Sequence, residues 1–159
     1  MKNGSAELAI ASASGDAWDR LDLWPLFSEG FVLVVGSSHR LAGHNSIQLS
    51  DVHGEALLMR TYCEYFESLS SVVRSHGFPI DRVHEMPSER GLEAFLQQGF
   101  GVAFAPQSML FSNCVKRVLV TGLGLRRNVS LYGVAGRQCS PVANMIMKML
   151  RDWSRYASQ

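Results

Sequence analysis

Apolar and polar positions along the chain alternate between two spacings, one suited to buried strands and one to helices. Residues 6–11 (AELAIA) form a short apolar run closed by the polar turn Ser12-Ala13-Ser14-Gly15, which predicts a buried strand ending in a flexible turn, either a hinge or the lip of a site. Residues 31–36 (FVLVVG) are rich in valine without polar alternation, the pattern of a strand covered on both faces, as parallel sheets require. After the loop SSHRLAGHNS, residues 47–52 predict a helical turn. Residues 56–59 (ALLM) predict an apolar strand that stops at Arg60-Thr61-Tyr62-Cys63. From there Tyr65, Phe66, Leu69, Val72 and Val73 follow the spacing of an amphipathic helix, ended by Gly77 and Pro79.

The cycle then repeats. Residues 83–86 (VHEM) predict a strand, Ser88 an N-cap, Leu92, Phe95 and Leu96 a buried helix stripe, Gly99 a helix end, and residues 101–105 (GVAFA) a strand closed by Pro106. Strand, helix, strand, helix, strand predicts right-handed crossovers, a parallel sheet and the α/β class. Two more strands, 115–120 and 128–135, flank the turn Gly122-Leu123-Gly124. A long last helix starts with Ser140 as N-cap and Pro141 at its first position. Its stripe Val142, Met145, Ile146, Met149, Leu150 and Trp153 is expected to pack on a sheet. Met145, Met147 and Met149 read as core filler or a dimer face rather than a cofactor box.

Composition narrows the function classes. Hydrophobic residues make up 47% and charged residues 18% of the 159, which predicts a folded globular chain. Lys+Arg 15 against Asp+Glu 14 leaves a formal charge of +1, with the basic residues scattered, so no clustered face for phosphates is expected and the chain is not expected to hold DNA by itself. No signal-peptide core and no 18-residue apolar stretch is visible, and Cys63, Cys114 and Cys139 are odd in number without a CxxC. Both features predict a cytoplasmic protein with free thiols and no membrane partner.

Motifs for catalysis are missing from the sequence. Neither Gly99-Phe100-Gly101 nor Gly122-Leu123-Gly124 completes GxGxxG, and GxxxxGK[ST], GxSxG, SxxK and HExxH do not occur. No catalytic residue, cofactor or metal is expected, and His39, His44, His53, His76 and His84 read as surface histidines. The strongest local signal is the loop Arg60-Thr61-Tyr62-Cys63. In an open α/β sheet, ligands bind beyond the carboxyl ends of strands, where free helix amides favour an anion. Arg60 offers a planar donor fork and Thr61 a hydroxyl, which together suit a carboxylate; alternatively Thr61 only caps the helix and Arg60 pairs with a nearby glutamate. Ser88 has the same double reading, with the cap preferred. Cys63 beside Arg60 is a candidate oxidant-sensitive thiol, although most lone cysteines are inert.

The order AELAIA, LWPLFSEGFVLVVGSSHRLAG, IQLSDVHGEALLMR, LEAFLQQGFGVAFAPQSM and LYGVAGRQCSP before a terminal helix resembles the effector-binding domain of LysR-type transcription regulators. The resemblance covers about 150 residues. It implies an α/β, periplasmic-binding-protein-like (type II) fold of two lobes joined by crossover strands: lobe II from residues 14–113, and lobe I from residues 1–13 and 114–159, with lobe I incomplete. It further implies a small, often anionic effector between the lobes. Its contacts would fall on Ser12 and Ser14 of the first turn, on Arg60, Thr61, Tyr62 and Cys63, and on Ser88. DNA binding would belong to a winged helix-turn-helix absent from this chain, and the sheet edge beside residues 6–11 would pair with another copy. A transporter's solute-binding protein shares the fold but should carry a secretion signal. A thiol sensor through Cys63 is the other alternative. Peroxide-sensing members need a second cysteine on the following helix, and residues 72–77 have none, so a disulfide switch is not expected.

Overall fold

One long strand, β2 (Leu21–Gly36), organises the chain. The computed structural model describes residues 6–12 and 20–157, with the side chains of 155–157 outside that description. Before β2 comes β1 (Leu8–Ser12). After it follow β3 (Ser46–Gln48), a 3-10 turn, β4 (Leu57–Arg60), α1 (Phe66–Ser75), a second 3-10 turn, β5 (Val83–Met86), α2 (Glu89–Gln97), β6 (Ala103–Pro106), β7 (Val115–Thr121), β8 (Arg126–Val134) and α3 (Pro141–Ala157). The chain divides into two compact units: unit 1 is Met1–Glu29 with Arg127–Gln159, and unit 2 is Gly30–Arg126. The strands β2 and β8 each run through a border between the units.

In unit 2, the second half of β2 is buried on both faces because apolar residues occupy every position. Phe31, Leu33 and Val35 enter one core with Val52, Leu69, Val73 and Phe104, while Val32 and Val34 enter another with Leu58, Leu92, Leu96 and Ala105. Successive strand side chains point to opposite faces, so one apolar run feeds both cores. Each fully buried aliphatic side chain contributes about 1.5–3 kcal/mol. Helix α1 covers the first face through Leu69 and Val73, and α2 covers the second through Leu92 and Leu96.

The sheet is mixed, not parallel as expected. Strand β2 pairs antiparallel with β6 and β7, β3 runs parallel to β7, and β4 runs parallel to β5 with a parallel bridge from Leu57 to Val102 at the approach to β6. Two-sided burial explains the valine run, but it does not specify strand direction. Both helices end as their glycines dictate. Gly77 and Gly99 sit at φ 69° and 74°, and the amides of Phe78 and Phe100 donate back to the Val73 and Phe95 carbonyls at 3.2 and 3.0 Å.

Unit 1 holds β1 antiparallel to β8, from Leu8 opposite Gly133 to Ser12 opposite Val129, and its helix is α3. Ser140 caps α3, its Oγ accepting from the Ala143 amide at 3.3 Å. The Glu7 carboxylate in turn accepts from the Ser140 amide and hydroxyl, both at 2.7 Å, and these bonds hold its pKa below the ordinary carboxylate value. The buried Glu29 and the half-buried Arg127 form an ion pair at 2.7 Å. The expected packing of α3 holds in part: Leu150 is half-buried and Trp153 packs edge-on against Phe27 of β2 at 5.9 Å, but Val142, Met145, Ile146 and Met149 are exposed, and Ala143 and Met147 are covered instead. Strand β2 also begins ten residues before the predicted Phe31, because Pro25 and Gly30 interrupt the apolar pattern without ending the strand.

Two glycines let backbones touch in unit 2. A Cβ on Gly36 would overlap the Leu96 carbonyl oxygen, and one on Gly101 the Ala56 carbonyl oxygen, whereas Gly43 faces open space. Gly36→Ala and Gly101→Ala are each expected to cost about 2–3 kcal/mol in urea unfolding, and Gly43→Ala to be near neutral. Glu93 has a lowered pKa like Glu7, held down first by the Ser112 hydroxyl and then by the Ser112 amide, which donates to it at 2.8 Å. Because both folded pKa values lie below the unfolded ones, their contribution is complete above the ordinary carboxylate range and is lost as pH falls through the lowered values. The double variant Glu7→Gln/Glu93→Gln is therefore expected to show a shallower loss of urea midpoint on acidification than the parent.

Candidate ligand loop at the ends of two parallel strands

The residues Arg60 to Cys63 leave the carboxyl end of β4, beside the end of β5, where Arg60 is in register with Met86. The loop is pinned to β5: the Thr61 amide and hydroxyl donate to the Met86 carbonyl at 3.2 and 3.4 Å. It then tightens through two turns, from the Cys63 amide to the Arg60 carbonyl at 3.2 Å and from the Phe66 amide to the Cys63 carbonyl at 2.9 Å. Tyr65 is the N-cap of α1 and supplies no side-chain cap bond. Thr61 therefore does not cap the helix, and its hydroxyl is turned to the end of β5 instead.

Arg60 is the unusual residue. It is only 6% exposed, and its guanidinium has no carboxylate partner among the described residues. Nη1 donates to Met109 Sδ at 3.2 Å and Nη2 to Cys63 Sγ at 3.3 Å, while Nε has no hydrogen-bond partner. Sulfur is a weak acceptor, so a permanent charge has left water for little return. Tyr62, 40% exposed, places its ring 5.8 Å from the guanidinium carbon. Partial burial raises the Tyr62 pKa above its ordinary value, the Arg60 charge opposes that rise, and Glu89 adds to it.

Ser88 follows β5 and opens α2, its Oγ accepting from the Gly91 amide at 3.2 Å. Four predicted site residues, Arg60, Thr61, Tyr62 and Cys63, are thus gathered in one loop, and Ser88 lies two residues beyond the neighbouring strand end. Ser12 is the last residue of β1 in unit 1, and Ser14 lies outside the described residues. Sequence reasoning missed Met109, whose sulfur reaches Arg60 from 49 positions away; nothing in the local pattern signals it. It also misread His39 as a surface residue. The His39 ring accepts from the Leu41 amide at 3.2 Å and faces the Glu55 carboxylate at 3.1 Å, which Arg40 also binds at 2.6 Å. The three cysteines are free, and no described helix is long and apolar enough to cross a membrane.

Two α/β units sharing crossover strands, with an open loop at the ends of parallel strands, define a domain of the periplasmic-binding-protein-like type II class. The family model described as LysR substrate binding domain matches residues 1–155, so the chain belongs to the LysR substrate-binding domain family. It is a ligand-sensing module of a LysR-type regulator, a kind of domain that is generally non-enzymatic. The regulatory domain of Synechocystis PCC6803 CcmR in complex with 2-PG has the same fold, with a TM-score of 0.75 at 20% identity over 97% of this chain and 76% of that one. The effector-binding domain of QuiR in complex with shikimate gives 0.72 at 21% identity, covering 98% and 73%. HinK, a LysR family transcriptional regulator from Pseudomonas aeruginosa, gives 0.77 at 16% identity, covering 98% of this chain and 54% of that one. The chain thus spans about half the length of that regulator. No curated protein matches it in sequence.

The Ser88 bond predicts a specific stability profile. Ser88→Ala is expected to cost about 1 kcal/mol and Ser88→Gly only a few tenths, because glycine also suits an N-cap; urea unfolding of the ligand-free chain checks both.

Proposed function

We propose that this chain senses a small carboxylate-bearing metabolite in the bacterial cytoplasm. It relays binding to a winged helix-turn-helix of a longer parent protein, which contacts DNA. The observation that carries this reading is the buried guanidinium of Arg60, which has sulfur acceptors and an unpaired Nε. An arriving carboxylate would supply the paired oxygens that guanidinium geometry favours and that this site lacks. Thr61 and Tyr62 offer a hydroxyl and a ring at the same loop, the Cys63 sulfur accepts from Arg60, and Ser88 opens the neighbouring helix, while Ser12 and Ser14 are contacts that the family resemblance alone implies. The shikimate bound by QuiR is itself a carboxylate. In this reading residues 14–113 form lobe II, and residues 1–13 and 114–159 form part of lobe I. The near-neutral charge, with basic residues scattered, supports leaving DNA contact to another domain. The reading also has the chain associate with copies of itself.

A thermal-shift panel of small carboxylates, amino acids and aromatic acids tests the anion site. A true ligand raises the melting temperature with dose, by mass action equivalent to about 2.7 kcal/mol at a hundred times its Kd. Arg60→Met is expected to abolish that shift while leaving the ligand-free protein as stable or more so, since an apolar side chain of similar volume replaces a poorly compensated buried charge. A shift that survives Arg60→Met, or no shift from any member of the panel, would sink the proposal.

A further inference from the structure

Three side chains of unit 2 cover the Arg60 guanidinium: Tyr62, whose ring lies 5.8 Å from the guanidinium carbon, Cys63 on Nη2 and Met109 on Nη1. They leave Arg60 only 6% exposed. A carboxylate that pairs with this cation must displace one of its covers, and the three are not equally free to leave.

Cys63 is fixed. It belongs to the first core of unit 2, its sulfur is one rotatable bond from the backbone, and its amide and carbonyl both take part in the turns of the loop. Tyr62 can stay, because arginine stacks on an aromatic ring and bonds an anion through its planar fork at the same time. Met109 is different. It is half-buried, and its unbranched side chain has three rotatable bonds. Its backbone, in contrast, is held: the Met109 amide donates to the Pro106 carbonyl at 3.1 Å, and its carbonyl accepts from Arg117. The segment around it is tied down by the Gln107 amide on the Gly30 carbonyl at 3.1 Å and by the Ser112 amide on the Glu93 carboxylate at 2.8 Å. The side chain can therefore swing while the segment stays in place. It also gives up least, since a neutral thioether is a weak acceptor and a carboxylate bonds a guanidinium with charge assistance.

We propose that Met109 is the affinity-setting gate of this site. In the empty protein its sulfur occupies the Nη1 position of Arg60, and a carboxylate takes that position by turning the Met109 side chain away. The inference rests on the reading of Arg60 as an anion site and adds the residue with which the anion competes. Leucine at position 109 fills the same space without an acceptor, whereas glutamine fills it with a stronger one. A residue that only packs would not give these two substitutions opposite signs.

Methyl NMR of the chain carrying 13C-methyl methionine tests the gate, with acetate and butyrate as probes and their neutral amides as controls. Met109→Leu identifies the Met109 signal among the seven methionines. The expected result is a saturable shift of the Met109 methyl with the acids and none with the amides. The dissociation constant, from the dose dependence of the melting temperature, should fall roughly two- to tenfold in Met109→Leu and rise by a similar factor in Met109→Gln. Without any acid, Met109→Gln should melt above Met109→Leu, because it still supplies Nη1 with an acceptor. Binding that is lost in Arg60→Met but leaves the Met109 methyl stationary overturns the gate and spares the anion site. Leucine and glutamine moving the dissociation constant in the same direction does so as well. No response to either acid also overturns the gate, and the wider carboxylate panel then decides the anion site separately.

Discussion

Burial of β2 on both faces is the constraint from which the rest of unit 2 follows. From Phe31 to Gly36 every residue is buried, and the odd and even positions supply different cores. Such a strand has no solvent face, so it must lie between neighbours in the sheet and between helices above and below it. Gly36, at the end of the run, admits the backbone of α2 so closely that no side chain fits there. Helix α2 is thereby set against the strand, and α1 packs on the opposite core. The ends of β4 and β5 are held in register between them, and the loop Arg60–Cys63 inherits its position from that register.

The same packing explains how a guanidinium comes to be buried without a carboxylate. Arg60 is the last residue of a strand buried along its whole length, so its side chain begins inside the core whether or not a counter-charge is near. Met109 and Cys63 provide polarizable but weak acceptors, and the Tyr62 ring adds a modest cation–π contact. None of these compensates fully for lost hydration. Under the proposed function, an arriving carboxylate would supply the paired oxygens that this guanidinium lacks.

Much of this was legible from local chemistry. Gly77 and Gly99 end helices because they alone adopt the left-handed conformation without strain, Ser88 and Ser140 cap because their hydroxyls reach the next free amides, and β5 occupies residues 83–86 as predicted. What was not legible depends on residues distant in sequence. The valine run of β2 reads alike in parallel and antiparallel surroundings, so its antiparallel partners could not be inferred. Pro25 and Gly30 concealed the first half of the same strand. The loop Arg60–Cys63 stood out as a site, yet the Met109 contact and the lack of a carboxylate are properties of the packed fold. His39 looked like a loop histidine because its partner Glu55 is sixteen residues away.

The spacing on α3 was read correctly as helical and only in part correctly as inward. Periodicity identifies a face that must be covered, but it cannot say what covers it. In α2, where Leu92 and Leu96 recur four apart, the cover is β2 and β6 of the same unit. In α3 Ala143, Met147 and Leu150 are wholly or partly buried and Trp153 packs edge-on against Phe27 of β2 at 5.9 Å, while Val142, Met145, Ile146 and Met149 stay exposed.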